Sequence, residues 1–504
     1  MNWFDDSDLH KEIGRKSFRG LSFTFSAQLL KFVVNLGATA VLARILTPGD
    51  FGLVAMLVSV TGVAALVNDL GLSTAIVQRA KLTHSEVNCL FWITVAAGLA
   101  TALAVALAGP LFTLVLKDPR LTGIAPVIAL SFLFSSFGSQ HRALLRRHMS
   151  FGVLGSIELF SGLASYLIAI CLAFYGVGYW ALILQQVLMA LFIAISSWVF
   201  CSWRPGRPAW EPTTRTMIGF GGSLTGSNLL NYVCRNADNI LIGRFCGFVP
   251  LGLYSKAYQL LLLPIWQINM PMMAAVTPAL SRLQFDLPRF KQLYLKSIMG
   301  IVVVGMPLVV FMFIRAECLI RVVLGPGWAE AMPLFRLLAP AAFLDTFNIA
   351  GGLLLTPLGQ SGRQFRLTVV SVIATLLAFT VGIHWGAEGV AIAFSVVTCA
   401  MRFPMLLYCC AQSPVHVSDL LGVLWRPAFC SLASGLAIFL WLHEPKMDSA
   451  LGALVFLGRD FLLFLCLYFL AWIAIPGGWA IICKTKSLLN GIISNRQPVI
   501  SSGE

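Results

Sequence analysis

The stretch VLARILTPGDFGL, residues 41–53, joins the end of one apolar segment to the start of the next. Thr47 can cap a helix whose first residue is Pro48, because the amide that proline lacks has no partner at that position. Asp50 comes three residues after Thr47, where a carboxylate can accept from the exposed amides of the first turn. The stretch therefore predicts a helix break before residue 48 and a second helix that begins there.

The composition of the 504-residue chain is that of an integral membrane protein. Hydrophobic residues make up 58% and charged residues 11%, whereas an ordinary soluble domain has about 25% charged residues. Apolar windows of about 20 residues, long enough to cross ~30 Å of hydrocarbon as helices, recur along the chain. We therefore predict an all-α integral membrane protein with about fourteen transmembrane helices. They lie near 20–43, 51–77, 88–108, 124–143, 152–174, 177–200, 217–243, 250–281, 294–314, 331–356, 366–384, 387–410, 424–442 and 453–475.

The distribution of charge favours a multi-pass protein with both termini in the cytoplasm. The first 19 residues are too polar for a secretory signal peptide. With an inside amino terminus, the inner loops carry far more Lys and Arg than the outer loops, in agreement with the positive-inside rule. The formal charge of +14 is spread singly through short loops and forms no patch, so nucleic acid is not expected as a partner.

The chain contains an internal repeat with an offset of 200 residues. VLAR at 41–44 aligns with LIGR at 241–244, and the Gly-Leu pair at 52–53 aligns with the pair at 252–253. Six helices in each repeat return the chain to the same side of the membrane, so we expect two six-helix bundles that are parallel repeats about an axis along the membrane normal.

A linker divides the two repeats. WRPGRPAWEPTTR, residues 203–215, has three prolines and no helical period. The predicted organisation is a cytoplasmic segment at 1–19, an N-lobe of six helices at 20–202, a linker at 203–216, a C-lobe of six helices at 217–410, two extra helices at 411–475 and a cytoplasmic tail at 476–504. We expect the two lobes to enclose a central cavity.

Polar side chains form matching stripes on the first helix of each repeat. A charged side chain at the bilayer centre costs about 3 kcal/mol, so such stripes should face a cavity or a protein interior. The predicted substrate-binding residues are Gln28, Lys31 and Asn35 on helix 1 and Asn228, Asn231, Arg235 and Asp238 on helix 7, each set on one helical face. Two interpretations stay open for Arg235 and Asp238: an ion pair within the helix, or contact with an anionic headgroup.

Two further groups of residues are functional candidates. Asp69 and Asp345 are lone acids in apolar helices and are candidates for proton or sodium coupling. Arg142, Arg146 and Arg147 lie at the inner end of helix 4, either as positive-inside anchors or for the first capture of a cytoplasmic headgroup. The twelve cysteines include no CxxC pair and no Cys/His cluster, so we expect neither a metal nor a resident cofactor.

Four stretches carry a resemblance to a known family: LGATAVLARILTPGDFGLVAM (36–56), ALLRRHMSF (143–151), RNADNILIGRF (235–245) and LGLYSKAYQL (251–260). The chain resembles the polysaccharide-exporting flippases, relatives of O-antigen and colanic-acid exporters, in the multidrug/oligosaccharidyl-lipid/polysaccharide (MOP) transporter superfamily. The resemblance implies alternating access and movement of an undecaprenyl-diphosphate-linked oligosaccharide from the inner to the outer leaflet of the bacterial inner membrane. It also implies a cationic cavity, which Lys31 and Arg235 match by position.

The same resemblance implies partners and a biological setting. The transported oligosaccharide would serve the biosynthesis of an exopolysaccharide, a capsule or an O-antigen, and the partners would be membrane lipids, a polysaccharide polymerase and the export machinery. By analogy with relatives, the two extra helices would form a groove for the lipid tail. Within the family, a lipid II flippase remains an alternative.

Two other classes of function compete with this interpretation. A cation-coupled multidrug exporter of the same superfamily would share the architecture, but cationic drugs favour an acidic cavity, which Lys31 and Arg235 do not suggest. A membrane polymerase or ligase usually needs a sizeable outer loop or a clustered acid/base site. The seven histidines are scattered near predicted helix ends with no catalytic spacing, so we do not expect an enzyme.

Overall fold

Helices account for nearly all of the structure, a computed structural model that describes residues 28–79, 82–207, 214–441 and 450–475. No β-strand occurs in these ranges. Apolar segments in hydrocarbon must satisfy their own backbone hydrogen bonds, and a helix does so within a single segment. The all-α prediction is confirmed. The predicted terminal segments at 1–19 and 476–504 lie outside the described residues.

The helices are numbered in chain order. They are α1 (Gln28–Ile45), α2 (Pro48–Asp69), α3 (Leu72–Gln78), α4 (His84–Leu107), α5 (Gly109–Leu116), α6 (Arg120–Arg147), α7 (Phe151–Phe174), α8 (Trp180–Phe200), α9 (Thr214–Phe245), α10 (Phe248–Arg282), α11 (Leu287–Ile314), α12 (Ala316–Val323), α13 (Ala331–Asp345), α14 (Ile349–Leu355), α15 (Ser361–Gly382), α16 (Gly386–Cys410), α17 (Val417–Trp441) and α18 (Ala450–Ala474).

Each of the fourteen predicted segments overlaps a helix, although twelve stretches of the described chain are long and apolar enough to cross a membrane. One of the twelve, Ser361–Cys410, contains both α15 and α16. Helix α9 is not among the twelve, and its polar stripe interrupts its apolar run. The multi-pass architecture is confirmed, and the count of fourteen crossings stays a prediction.

Helix α2 begins at the predicted capping box. The backbone amide of Asp50 donates to Oγ1 of Thr47 at 3.3 Å, and the backbone amide of Thr47 donates to Oδ2 of Asp50 at 2.9 Å. Pro48 is the first helical residue. These local bonds end the run that begins in α1, as the sequence predicts.

Two helices that were predicted to be continuous are broken next to an acid. Helix α2 ends at Asp69, after which Leu70 (φ 48°) and Gly71 (φ 65°) adopt left-handed conformations and α3 begins. Helix α13 ends at Asp345, and α14 begins at Ile349. The two breaks place Asp69 and Asp345 at helix ends, where backbone groups lack partners within the helix.

The chain forms two compact units. The described residues of the first unit fall within Met1–Ser255, Val323–Glu330 and Phe379–Val390, and those of the second fall within Lys256–Val322, Ala331–Ala378 and Ala391–Glu504. These units are defined by packing, whereas the predicted lobes follow chain order and the repeat. The lobe boundary at 203–216 stays a prediction, and residues 208–213 of that linker lie outside the described chain.

In the first unit, α6 packs against α3, α4, α5 and α8, while α2 packs against α9. Leu72, Leu90, Leu144 and Trp203 are buried in its core. This packing places the last turns of α2 and the middle of α6 beside one another, which positions the site described below.

In the second unit, α17 packs against α11 and α18. A buried ion pair joins Arg315, at the end of α11, to Asp460 in the middle of α18, with 2.8 Å between Nε and Oδ2. The guanidinium also lies 5.3 Å from the ring centre of Phe456. The last helix is therefore held to this unit by charge as well as by apolar contacts.

Candidate functional site

A cavity of about 470 Å³ lies within the first unit, and its volume is in the range typical of small-molecule sites. Helices α2, α3, α4, α6 and α8 line it. Its polar lining residues are Thr61, Asn68, Asp69, Ser73, Thr74, Thr94, Ser131, Ser135, Ser139, Arg142, Arg146 and Gln186. The cavity thus brings together Asp69 and two of the three arginines that the sequence placed in separate groups.

Asp69 lies at the break between α2 and α3 and is held by hydroxyl groups. Oγ of Ser139 donates to Oδ1 of Asp69 at 2.8 Å, and Oγ of Ser73 donates to the same oxygen. The two serine oxygens are 2.7 Å apart. The sequence identified Asp69 as a lone acid, and the structure supplies two polar neighbours from α3 and α6.

The three arginines at the end of α6 divide into two roles. Arg142 and Arg146 line the cavity, and Arg142 interacts electrostatically with Asp69 and Glu158. Arg147 is buried and donates to the backbone oxygens of Ile76, at 3.1 Å, and of Arg79. It thereby satisfies carbonyl groups at the end of α3, where the helix leaves them without partners.

Two residues of the cavity lining each carry a buried polar atom with no hydrogen-bond partner among the described residues. These atoms are the donor Nε of Arg142 and the acceptor Oδ1 of Asn68. The amide nitrogen of Asn68 is satisfied, because it donates to the backbone oxygen of Phe132 at 3.1 Å. Since buried polar groups are nearly always paired, the cavity is suited to a ligand that offers both an acceptor and a donor.

Lys31 on α1 forms an ion pair with Glu158 on α7, with 2.6 Å between Nζ and Oε2. About a third of each side chain is exposed: 38% for Lys31 and 33% for Glu158. The lysine charge is therefore balanced within the protein while its side chain stays partly exposed. Glu158 was not among the predicted residues, although an acid in the apolar segment 152–174 was a visible signal.

Asn35, the next polar residue of the α1 stripe, also contacts α7. Oδ1 of Asn35 accepts from the hydroxyl of Tyr166 at 3.0 Å, and Gln28 is exposed at the start of α1. Lys31 and Asn35 thus both contact α7, and Oδ1 of Asn35 also accepts from Oγ1 of Thr39 within α1 at 3.5 Å. Whether the three side chains bind substrate stays a prediction.

The stripe on α9 is divided between exposed and buried positions. Asn228 and Arg235 are exposed, whereas Asp238 is 5% exposed and accepts from the hydroxyl of Tyr254 at 2.9 Å. No ion pair between Arg235 and Asp238 occurs among the described contacts, so the intrahelical pair that the sequence left open is not seen in this part of the chain. The side chain of Asn231 lies outside the described residues. Substrate contact by this stripe stays a prediction.

Asp345, in the second unit, is not the lone acid that the sequence suggested. Its Oδ1 pairs with Nη2 of Arg402 at 2.8 Å, and the same guanidinium donates to Oδ1 of Asn348 at 2.6 Å. Arg402, in α16, therefore bridges the two sides of the break between α13 and α14. The interpretation of Asp345 as an unpaired acid is wrong, whereas its role in coupling stays a prediction.

Aromatic and charged side chains hold the start of α2 and the start of α10 within the first unit. Nε1 of Trp328 donates to the backbone oxygen of Ala43 at 2.8 Å, and its ring packs edge-on against Phe51 at 5.4 Å. The guanidinium of Arg120 lies 5.7 Å from the ring centre of Phe248. Both contacts lie near the helix ends that the sequence predicts to be outside.

Arg120 is oriented by Asp118, in the turn between α5 and α6. Nη2 of Arg120 lies 2.6 Å from Oδ2 of Asp118. Burial opposes the charged carboxylate, but the side-chain and backbone hydrogen bonds from Arg120 outweigh it and lower the pKa of Asp118 below its ordinary value. This turn therefore keeps a charged carboxylate at neutral pH.

Metal-ligating residues do not gather elsewhere in the part of the chain that the structure describes. No group of three His, Cys, Asp or Glu side chains is placed to hold a metal ion there. The site chemistry is that of arginine, amide and hydroxyl groups around one carboxylate.

A family model described as "Polysaccharide biosynthesis protein" matches residues 41–333, more than half of the chain. The chain belongs to this family. Among its curated relatives, the lipopolysaccharide biosynthesis protein WzxC of Escherichia coli (strain K12) is 25% identical over 427 residues, covering 83% of this chain and 86% of that protein. The succinoglycan biosynthesis transport protein ExoT of Rhizobium meliloti (strain 1021) is 27% identical over 354 residues, covering 70% and 71%.

Solved structures show the same fold at low sequence identity. The lipid II flippase MurJ, in an inward closed conformation, matches with a TM-score of 0.71 and 12% identity, over 89% of this chain and 97% of that chain. An inward-facing multidrug resistance MATE family transporter of the MOP superfamily matches with a TM-score of 0.61 and 16% identity, over 78% and 98%. This chain therefore has the fold of these transporters, and the resemblance to the polysaccharide-exporting family found in the sequence is confirmed. The relatives with a functional name are transporters and a flippase, not enzymes.

Proposed function

We propose that this protein is an alternating-access flippase that moves an undecaprenyl-diphosphate-linked oligosaccharide from the inner to the outer leaflet of the bacterial inner membrane for surface polysaccharide biosynthesis. The observation that carries the proposal is Arg142, which lines the cavity and whose buried Nε has no acceptor among the described residues. A buried cationic donor is costly unless an acceptor reaches it. The cavity therefore favours a ligand with anionic oxygen atoms.

The remaining lining of the cavity suits a glycan headgroup. Arg142 and Arg146 offer planar, permanently charged donors of the kind that bind phosphate oxygens. Oδ1 of Asn68 needs a donor, which a sugar hydroxyl can supply. Diphosphate and sugar are joined in one molecule in a lipid-linked oligosaccharide, so a single ligand would satisfy both sides of the cavity.

Lys31 and Glu158 extend this proposal to α1 and α7. An anionic headgroup that reaches Lys31 would replace the carboxylate of Glu158 as its partner, while Glu158 lowers the cost of the lysine in the membrane when no substrate is bound. The pair would thus favour anionic over cationic substrates. In this proposal Lys31 makes the substrate contact that the sequence predicted.

A multidrug exporter of the same fold is the second candidate, and the MATE likeness is its support. Against it, the cavity presents two arginines beside a single carboxylate, which disfavours cationic drugs. The proposed flippase would act with a polysaccharide polymerase and export machinery on the outer side, and its cycle would be coupled to protons or sodium.

Deletion of the gene in its host tests the flippase proposal. We expect lipid-linked oligosaccharide to accumulate on the inner leaflet, as measured by its protection from a membrane-impermeant glycan-modifying reagent in spheroplasts. Normal surface polysaccharide in the deletion strain, or accumulation of precursor on the outer leaflet, would contradict the proposal.

Complementation of the deletion then tests the cavity. We expect wild type to restore export and Arg142→Gln and Arg146→Gln to restore it poorly at equal abundance in the membrane. Arg289→Gln is the matched control, because that arginine is 78% exposed at the start of α11 in the second unit. Full rescue by both cavity variants would remove the arginines from the proposed site.

A further inference from the structure

Arg459 is a charged residue on an exposed, apolar face of α18. Its side chain is 54% exposed. Val455, Leu462, Leu470 and Ile473 are each more than half exposed, and helical geometry places all four within about 60° of Arg459 around the helix axis. In a bilayer, acyl chains cover such a face. Arg459 therefore places a cation within a surface that meets lipid.

Arg459 shares its partner within the protein with a second arginine. Its Nε and Nη2 both donate to Oδ1 of Asp460, at 3.1 and 3.0 Å. The other carboxylate oxygen, Oδ2, accepts from Nε of Arg315 at 2.8 Å. One carboxylate thus contacts two permanently charged guanidinium groups. Because Arg315 is 2% exposed, Arg459 is the one of the two that an external anion can reach.

The partner of Asp460 also places Arg459 close to the membrane surface. Arg315 directly follows α11, at the end that the sequence predicts to be outside. Helix α12 begins there, with its charged side chains exposed and apolar ones buried, and Sγ of Cys318 contacts the backbone oxygen of Ala453 in α18 at 3.5 Å. Amphipathic helices of this kind are typical of the membrane interface. We therefore expect Arg459 to lie near the layer of lipid headgroups.

The guanidinium of Arg459 is directed toward that end of α18. Its Cζ lies 4.6 Å from the ring centre of Phe456, which is three residues closer to the start of the helix. Stacking on an aromatic ring fixes the plane of the guanidinium, and long cationic side chains reach toward the interface in this way. Nε and Nη2 face Asp460, whereas Nη1 meets no acceptor among the described residues. An acceptor can therefore approach from outside the protein.

We propose that Arg459 binds the phosphate group of an anionic phospholipid of the bilayer, and that the exposed apolar face of α18 contacts the acyl chains of the same lipid. Arginine donors suit phosphate oxygens. From Arg459 to Leu470 the helix extends ~16 Å, which is about the hydrocarbon thickness of one leaflet. A phospholipid thus matches both the cation and the apolar stripe that continues from it.

Two other occupants fit this face less well. A second copy of the chain in a twofold contact centred on this face would bring two Arg459 side chains together, and like charges repel. The lipid-tail groove that the family resemblance implies would hold the transported substrate, whereas this site holds a resident lipid by its phosphate. The inference does not rest on the proposed transport function.

Native mass spectrometry of the full-length protein, titrated with phosphatidylglycerol or phosphatidylcholine, tests the site. We expect wild type to bind its first phosphatidylglycerol about fivefold more tightly than its first phosphatidylcholine, or ~1 kcal/mol for one arginine near a membrane surface. Arg459→Gln should lose this preference. Arg459→Lys should keep part of it, which keeps the test valid if Arg459→Gln folds poorly.

Arg289→Gln is the matched control, because that arginine is 78% exposed at the start of α11, whereas Arg315 follows its end. Its preference for phosphatidylglycerol should equal that of wild type. A preference that survives in Arg459→Gln overturns the proposal, and so does an equal loss in the control.

Thermal unfolding in detergent separates a lipid from the other occupants. We expect phosphatidylglycerol to raise the unfolding temperature of wild type more than that of Arg459→Gln. Inorganic phosphate at the same concentration should change neither, because it has no acyl chains to contact α18. Stabilisation by inorganic phosphate that depends on Arg459 would assign the site to a free anion and overturn the proposal. A wild-type dimer that Arg459→Gln dissociates without a change in lipid binding would assign the face to a second copy and overturn it as well.

Discussion

Gly52 and Gly252 cross in direct backbone contact, and their contact repeats the offset of 200 residues found in the sequence. A Cβ atom on Gly52 would lie 1.7 Å from the backbone oxygen of Phe248, and one on Gly252 would lie 1.8 Å from the backbone oxygen of Pro48. Residues 48 and 248 are themselves 200 apart. Each glycine thus contacts the equivalent carbonyl of the other repeat, as expected when the start of α2 and the start of α10 cross at a local pseudo-symmetry axis.

This reciprocity predicts equal effects of Gly52→Ala and Gly252→Ala. Either methyl group would force the two backbones apart, and overpacking of this kind costs about 1–3 kcal/mol. We expect both variants to unfold at a lower temperature than wild type and to export less polysaccharide. Gly37→Ala in α1 is the control, because no atom lies within 4 Å of a Cβ built there. An unchanged unfolding temperature in Gly52→Ala would refute the close contact between the two helix starts. An equal decrease in the Gly37→Ala control would refute it as well.

The Lys31–Glu158 pair predicts that stability and export can be separated. Lys31→Met leaves Glu158 unpaired and should reduce both membrane abundance and export. Adding Glu158→Gln removes the unpaired charge, so the folded protein should regain roughly 1 kcal/mol of stability. Its abundance in the membrane should then recover while export stays low. Quantitative blotting and surface-polysaccharide assays measure the two outcomes. Recovery of export in the double variant would mean that the lysine serves only its internal partner.

Asp118 predicts a pH-dependent contribution to stability. Its pKa is lower in the folded protein than in the unfolded chain, so its contribution is complete above the unfolded value and is lost as the pH falls below about 4, through the folded pKa. The difference in thermal stability between wild type and Asp118→Asn should therefore be largest at neutral pH and shrink on acidification. Glu317→Gln, at a surface pair with Arg321, should give little difference at any pH. A wild-type advantage that persists in acid would contradict this assignment.

The buried pair of Arg315 and Asp460 predicts that the packing of α18 against the second unit depends strongly on this ion pair. Both side chains are at most 2% exposed, and removal of one member of a buried pair typically costs about 3–5 kcal/mol. We expect Asp460→Leu to lower the unfolding temperature sharply and Arg315→Met with Asp460→Leu to recover most of it. Limited proteolysis should show α18 released in the single variant and protected in the double variant. Equal losses in the two variants would mean that packing alone holds this helix.

Local sequence determined the helices, because a backbone in hydrocarbon must satisfy its own hydrogen bonds and an apolar run of sufficient length therefore forms a helix. The start of α2 at Pro48 followed from the spacing of Thr47 and Asp50, and the repeat followed from VLAR and LIGR and from the two Gly-Leu pairs, each at an offset of 200. Family membership was also visible, because it is carried by contiguous stretches such as residues 36–56. These features depend on neighbours along the chain or on a fixed offset.

The partners of the charged residues were decided only by tertiary structure. Lys31 and Glu158 are 127 residues apart, and neither the pattern of α1 nor that of α7 identifies the other. The same packing places Arg142 on the cavity wall while directing Arg147 to the end of α3, although both belong to one basic cluster. The carboxylate of Asp69 meets the hydroxyl of Ser139 in α6 only when the helices are packed. Sequence thus identified which side chains carry the chemistry, and packing between distant helices decided which of them share a site.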